Sequence, residues 1–160
     1  MKNQTKMERE DRTVLRQFAL IITFAVLGSL GLQATEPEVK VFKTATCGCC
    51  GKWVEHLRAN GFKVTVTDVP STAEFRAKYG VPEKLASCHT GVVEGYALEG
   101  HVPAREIKKM LLNHPAGKGL AVPGMPAGSP GMEMGRADAY EVLLFDAEGK
   151  TSVYGKYEAK

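Results

Sequence analysis

The sequence has 160 residues, a length that suits one ordinary domain, and 44% of them are hydrophobic. The formal net charge of +3 comes largely from the first 34 residues, because the remaining 126 carry 16 basic and 15 acidic side chains. A nearly neutral chain without a basic stripe excludes nucleic acid as the expected partner.

Residues 1–34 have the pattern of a secretory signal peptide. Five basic residues precede an uncharged, mainly apolar stretch at residues 18–32, and the small residue Ala34 follows where a signal peptidase would cut. The apolar stretch has 15 residues, whereas a membrane span needs about 20. We therefore predict export and cleavage near Ala34, which leaves a mature domain of residues 35–160 with no membrane association. The alternative is an uncleaved membrane anchor.

The elements that follow this leader begin with a β-α-β unit. Residues 39–42 predict a short apolar strand, residues 52–60 a helix that ends at Gly61, and residues 62–67 a strand of alternating polarity. A helical crossover of this kind makes its two strands parallel.

The pattern continues with two more helices and two more strands. In order, these are a helix at 71–79, one turn at 82–85, strands at 90–96 and 97–102, and a helix from 103 to about 112. Ser71 and Glu74 have the spacing of a capping box at the start of the first of these helices. The order β-α-β-α-β-β-α is that of thioredoxin-like proteins, and we predict an α/β fold of this kind.

Residues 115–135 are rich in glycine and proline, which occupy ten of the 21 positions. This composition predicts a loop without a regular element. A C-terminal hairpin is predicted next, with strands at residues 140–145 and 151–154 and a turn at 146–149.

The four cysteines are gathered rather than spread along the chain. Cys47, Cys49 and Cys50 lie within four residues, and Cys88 is followed directly by His89. The first three fall between a predicted strand end and a helix N-terminus, where the helix dipole favours thiolates. Thiols clustered in an exported protein need protection by a metal or a reductant. The spacing therefore predicts a metal site or a redox site.

Three kinds of site are compatible with these residues. Soft thiolates select Cu(I), and all four could hold a multinuclear thiolate-bridged copper cluster, with His89 as a further ligand or as a donor to a sulfur. Alternatively, Cys47 and Cys50 have the spacing of a thiol oxidoreductase or a copper redox enzyme, with Cys47 as the attacking thiolate and Cys50 as its resolving partner. A structural zinc site would use Cys47, Cys50, Cys88 and His89.

Other soft or imidazole side chains are weighed beside the cysteines. Met125, Met132 and Met134 lie in the glycine- and proline-rich segment, and their thioethers suit copper, so we predict a lid or a second copper contact. We assign structural or solvent roles to the remaining histidines, His56, His101 and His114.

Several segments of the chain together resemble the DUF411 metal-binding family, whose members include the CopG-type periplasmic copper resistance proteins of Gram-negative bacteria. The segments are VKVFK at 39–43, TCGCCGKW at 46–53, SCHT at 87–90, GYALEGHVP at 95–103, GLAVPGMP at 119–126 and GSPGME at 128–133. The resemblance implies a thioredoxin-like fold, a periplasmic location and a role in copper tolerance. It implies Cu(I) ligands at Cys47, Cys49, Cys50 and Cys88. The expected partners are copper ions and other periplasmic copper-handling proteins.

Overall fold

A computed structural model describes residues 37–160, so the predictions made for residues 1–34 lie outside the described residues. In chain order the elements are β1 (Glu38–Lys43), α1 (Gly48–Ala59), β2 (Lys63–Asp68), α2 (Ala73–Tyr79), a short 3-10 turn (Glu83–Leu85), β3 (His89–Val93), β4 (Tyr96–Gly100), α3 (Ala104–Asn113), β5 (Gly119–Val122), β6 (Tyr140–Phe145) and β7 (Thr151–Tyr157). None of the helices between residues 37 and 160 has the length and apolar character needed to cross a membrane.

The seven strands form one mixed sheet in the order β2-β1-β3-β4-β5-β6-β7. The β1–β2 and β4–β5 pairs are parallel, and the other neighbours are antiparallel. The predicted α/β class, the parallel β-α-β start and the element order as far as α3 are confirmed. The narrower thioredoxin-like assignment, which depends on this order, stays a prediction.

The main hydrophobic core joins α1 and α3 to the sheet. Trp53 and Leu57 of α1 and Ile107 of α3 are fully buried in it. The indole Nε1 of Trp53 also donates a hydrogen bond to the carbonyl of Val102 at 2.9 Å. Since a buried tryptophan removes a large apolar surface from water, Trp53 anchors α1 to the core and to the segment that follows β4.

The structure corrects the prediction of an unstructured glycine- and proline-rich segment. Within it, residues 119–122 form the buried strand β5, which pairs with β4 on one side and β6 on the other. A Cβ atom added to Gly119 would overlap the backbone of Ala97, so glycine permits the close approach of β4 and β5. The short apolar run between glycines and prolines gave no periodicity from which a strand could be predicted.

The start of α2 also differs from the sequence prediction. Thr72 is its N-cap, without a side-chain capping bond, while the Ser71 hydroxyl accepts a hydrogen bond from the Ala73 amide. The reciprocal bonds of a capping box are therefore not formed. The predicted end is confirmed, because Gly80 terminates the helix in the left-handed conformation.

Candidate metal centre

The first turn of α1 brings three sulfur atoms together. Cys47 is the N-cap of a helix that begins at Gly48, four residues before the predicted start, so Cys49 and Cys50 belong to the first turn. The sulfurs of these three cysteines all lie within 4.8 Å of one another. The turn contains no acidic side chain and no side-chain cap, so the positive end of the helix dipole lies at the cysteines without a neighbouring carboxylate in that turn.

Two of these cysteines are joined and the third stays free. Cys47 and Cys50 form a disulfide across 5.4 Å between their Cα atoms, the pair that the C-x-x-C spacing favoured. Cys49 carries a free, half-buried thiol whose Sγ lies 3.7 Å from that of Cys47. This is the oxidised form of the site, and two electrons and two protons would convert it to three neighbouring thiols.

The fourth cysteine has a different partner. Cys88 has a free, half-buried thiol that lies 3.8 Å from the Sδ of Met125. It is outside the group of three mutually close sulfurs. Met125 has a φ of 48°, in the left-handed region that side chains other than glycine rarely adopt. Such strain persists only where the surrounding structure imposes it, as at many functional sites.

A segment of the chain, residues 123–136, is seated on the turn that carries the cysteines; we call it the strap. At Gly131 of the strap, an added Cβ would lie 2.9 Å from the Trp53 amide nitrogen and 3.0 Å from the Cys49 carbonyl oxygen. The carbonyl of Pro130 contacts His101 Nδ1 at 2.7 Å. The carboxylate of Glu133 accepts a hydrogen bond from the Gly131 amide at 2.9 Å.

The strap does not use its three methionines equally. Met125 makes the contact with Cys88, Met132 is half-buried, and Met134 keeps 68% of its surface exposed. The sequence could not distinguish the three, because the difference comes from how the strap is folded back on α1.

His89 lies in the core and outside the group of three sulfurs. Its ring is fully buried, 4.4 Å from the ring of Trp53, and its Nε2 contacts the Gly100 carbonyl at 3.0 Å. Nδ1 has no hydrogen-bond partner in the described part of the chain. Burial, with smaller contributions from His101 and Lys43, lowers the pKa of His89 to about 3. The imidazole is therefore neutral at physiological pH.

The depressed pKa of His89 predicts a loss of stability in acid for the metal-free protein. Between pH 6.5 and about 3 the unfolded histidine binds a proton that the folded one does not, so stability decreases as the pH falls. We expect a loss on the order of 1 kcal/mol in unfolding free energy per pH unit. His56 and His101, whose pKa values are also lowered by burial, act in the same direction.

Urea denaturation of the metal-free protein at several pH values measures this effect. The variant His89→Gln is expected to show a shallower dependence than the parent, whereas His114→Gln, at an exposed position, is expected to match the parent. Equal slopes of unfolding free energy against pH for His89→Gln and the parent would contradict the lowered pKa of His89.

The other histidines and one glutamate complete the surroundings of the site. His56 Nε2 accepts a hydrogen bond from the Ala104 amide at 3.1 Å, and His114 ends α3, in accord with their predicted structural roles. Glu99, which the sequence analysis missed, is fully buried, and burial raises its pKa against the opposing effect of hydrogen bonds from Thr90 and Ser87. Its position in an apolar strand followed by Gly100-His101 was the available signal.

The described part of the chain is thus an α/β domain with a three-cysteine cluster of soft-metal or redox character at a helix N-terminus. Residues 85–132 match the family model DUF411, described as a protein of unknown function. Two solved structures, "Copper resistance protein copG- Form 1" and "Form 2", are 48% and 47% identical to the chain, each with a TM-score of 0.72. The alignments cover 77% and 76% of this chain and 99% and 98% of theirs. None of the curated proteins compared with the chain matches it. The chain belongs to the DUF411 family and is of the CopG type.

Proposed function

We propose that this chain is a periplasmic copper-binding protein that holds Cu(I) through the thiolates of Cys47, Cys49, Cys50 and Cys88 and serves copper resistance. The observation that carries the proposal is the set of three sulfurs within 4.8 Å of one another at the N-terminus of α1. Thiolates are soft ligands that select Cu(I) over the harder cations. The names of the two related structures, both copper resistance proteins, support the same metal.

Copper binding requires the reduced form of the site. Reduction of the Cys47–Cys50 disulfide by two electrons and two protons yields two thiols, which lose their protons as they bind metal. The amides and dipole of the α1 N-terminus stabilise the resulting negative charge. Because one thiolate can bridge two Cu(I) ions, four thiolates suit a cluster of more than one copper.

Cys88 and Met125 supply a second pair of soft donors, 3.8 Å apart. We propose that this pair completes the cluster and that the strap methionines Met125, Met132 and Met134 pass copper between solvent and the thiolates. His89 would serve as a further ligand or as a hydrogen-bond donor to a sulfur. It would approach the site from the protein interior, because its ring is fully buried. The partners in exchange would be other periplasmic copper-handling proteins, after the leader has been removed.

The test is the copper-to-protein ratio together with X-ray absorption at the copper edge. Full-length chain is expressed, recovered from the periplasmic fraction, reduced and loaded with Cu(I), and its mass reports cleavage near Ala34. We expect more than one Cu(I) per chain, a sulfur ligand shell and a copper–copper contact. One tightly bound zinc per chain that Cu(I) cannot displace would contradict the proposal and favour a structural zinc site.

The strap methionines provide a matched pair of variants. Met125→Leu removes the thioether next to Cys88 but keeps a similar volume, and we expect Cu(I) affinity to fall about tenfold, the lower end of the effect of outer ligand contacts. Met134→Leu, at an exposed position proposed to serve the transfer of copper rather than its bound state, should keep the Cu(I) affinity of the parent. Competition with a Cu(I)-specific chelator measures both, and equal affinities in Met125→Leu and Met134→Leu would remove Met125 from the site.

A second candidate function is favoured by the disulfide itself. Cys47 and Cys50 form the dithiol pair that a thiol oxidoreductase or a copper reductase needs. In the copper version, two Cu(II) ions each gain one electron while the two thiols lose two electrons and two protons and form the disulfide. The Cu(I) produced would then be held by the remaining thiolates, Cys49 and Cys88.

A further inference from the structure

Glu99 is a carboxylate buried completely within the described domain. It lies on β4 directly opposite Thr90 of β3, and none of its surface reaches solvent. A carboxylate in such a place is unfavourable unless its oxygens accept hydrogen bonds. Its partners therefore indicate which part of the structure it holds in place.

Both carboxylate oxygens of Glu99 accept hydrogen bonds, one from the residue before the Cys88-His89 pair and one from the residue after it. The backbone amide of Ser87 donates to Oε1 at 2.6 Å, and the hydroxyl of Thr90 donates to Oε2 at 2.8 Å. The Ser87 hydroxyl in turn donates to the His89 carbonyl at 3.0 Å. The carboxylate thus restrains the chain on both sides of Cys88, the residue that carries the fourth thiol.

The residues just before β3 depend on the hydrogen bonds to Glu99 for their position. Residues 86–88 lie between the turn Glu83–Leu85 and the first residue of β3 and belong to no helix or strand. The contact from Arg76 to the Ser87 carbonyl is long, at 3.4 Å. The short bond to Glu99 is therefore the stronger restraint on the backbone that leads into Cys88.

We propose that Glu99 is a positioning residue that holds Cys88 against Met125 and within reach of copper bound by the α1 cysteines. The copper part of this inference rests on the proposed function. The restraint on Cys88 does not, because it follows from hydrogen bonds within the copper-free protein.

The restraint is tested by the alkylation rate of Cys88. In the variant Cys49→Ser with the Cys47–Cys50 disulfide intact, Cys88 is the one free thiol of the chain. Adding Glu99→Ala should speed its reaction with iodoacetamide about tenfold, the factor expected when a charge-assisted hydrogen bond no longer restrains the segment. Glu99→Gln should stay within about twofold of the parent, since its amide can still accept from Ser87 and donate to Thr90.

The glutamine variant distinguishes the effect of the Glu99 hydrogen bonds on the position of Cys88 from the effect of the Glu99 charge. Loss of a negative charge near Cys88 would alter thiol reactivity in the alanine and glutamine variants alike, whereas loss of the hydrogen bonds affects alanine alone. A matched control is Glu106→Ala, which removes another fully buried carboxylate, one that accepts a hydrogen bond from Tyr157. It should leave the alkylation rate of Cys88 unchanged.

The result that overturns the restraint is an unchanged rate in Glu99→Ala, or an equal increase in Glu106→Ala or Glu99→Gln. If Glu99→Ala does not fold, Thr90→Val removes one of the two bonds to the carboxylate and decides the question: an increased rate supports the restraint, and an unchanged rate overturns it.

The copper part is tested in chains that keep all four cysteines. Glu99→Ala should lose the same share of Cu(I) as Cys88→Ser, and Glu99→Gln should bind like the parent. Faster alkylation with undiminished copper binding would overturn the role of Glu99 in the copper site. If the parent itself binds no Cu(I), the proposed function fails, while the alkylation rates still decide whether Glu99 positions Cys88.

Discussion

Cys49→Ser is expected to bind about one fewer Cu(I) per chain than the parent, because the lost thiolate is a soft ligand that can bridge copper ions. The Cys47–Cys50 disulfide should still form in this variant, since Cys49 is the free member of the group of three sulfurs. This single substitution therefore reduces copper binding while it leaves disulfide formation intact.

The measurements are the copper-to-protein ratio of the reduced, loaded chain and the yield of Cu(I) when reduced, copper-free chain meets Cu(II). A dithiol reductase should keep its Cu(I) yield in Cys49→Ser, while a multi-thiolate copper site should lose stoichiometry. The control Cys47→Ser should lose both the disulfide and copper. Full copper binding by Cys49→Ser would refute the four-thiolate proposal and favour an oxidoreductase.

Gly131→Ala is expected to lower the unfolding free energy by about 2–4 kcal/mol, which combines left-handed strain with the cost of overpacking. Gly131 has a φ of 87°, and an added Cβ would lie 2.9 Å from the Trp53 amide nitrogen and 3.0 Å from the Cys49 carbonyl oxygen. These are backbone atoms of α1, so the strap must move away from the turn that carries the cysteines.

Gly135→Ala is the matched control for the strap. Gly135 has nearly the same φ, 86°, but a Cβ there would meet nothing within 4 Å. It should therefore show the conformational cost of the left-handed backbone alone, about 1–2 kcal/mol. Chemical denaturation measures both variants, and Cys49 alkylation reports whether the strap has moved. Equal stability losses in the two variants would mean that the strap does not press on α1.

The sequence predicted those elements whose signal is local. Alternating residues in β2 and the apolar face of α1 were sufficient for the β-α-β start, because the periodicity reflects which side of each element is buried. The start of α1 was placed too late because a run of cysteines and glycines has no strong helix propensity. In the folded chain the burial of Trp53 and Cys50 extends the helix through that run.

Strand β5 shows what local composition conceals. Residues 119–122 lie among glycines and prolines that usually mark loops. They form a strand because β4 and β6 offer hydrogen bonds on both sides and Gly119 allows β4 to come close. The decisive partners are distant in sequence, so no window around β5 contains the information.

The same division holds for the candidate site. The sequence alone determined that Cys47, Cys49 and Cys50 lie together, because three residues within one turn cannot be far apart. Only the tertiary structure decided that Cys88 contacts Met125 and that His89 is buried against Trp53. It also decided that Glu99 restrains the chain next to Cys88. These contacts depend on the pairing of β3 with β4 and on the path of the strap, which follow from packing of the whole domain.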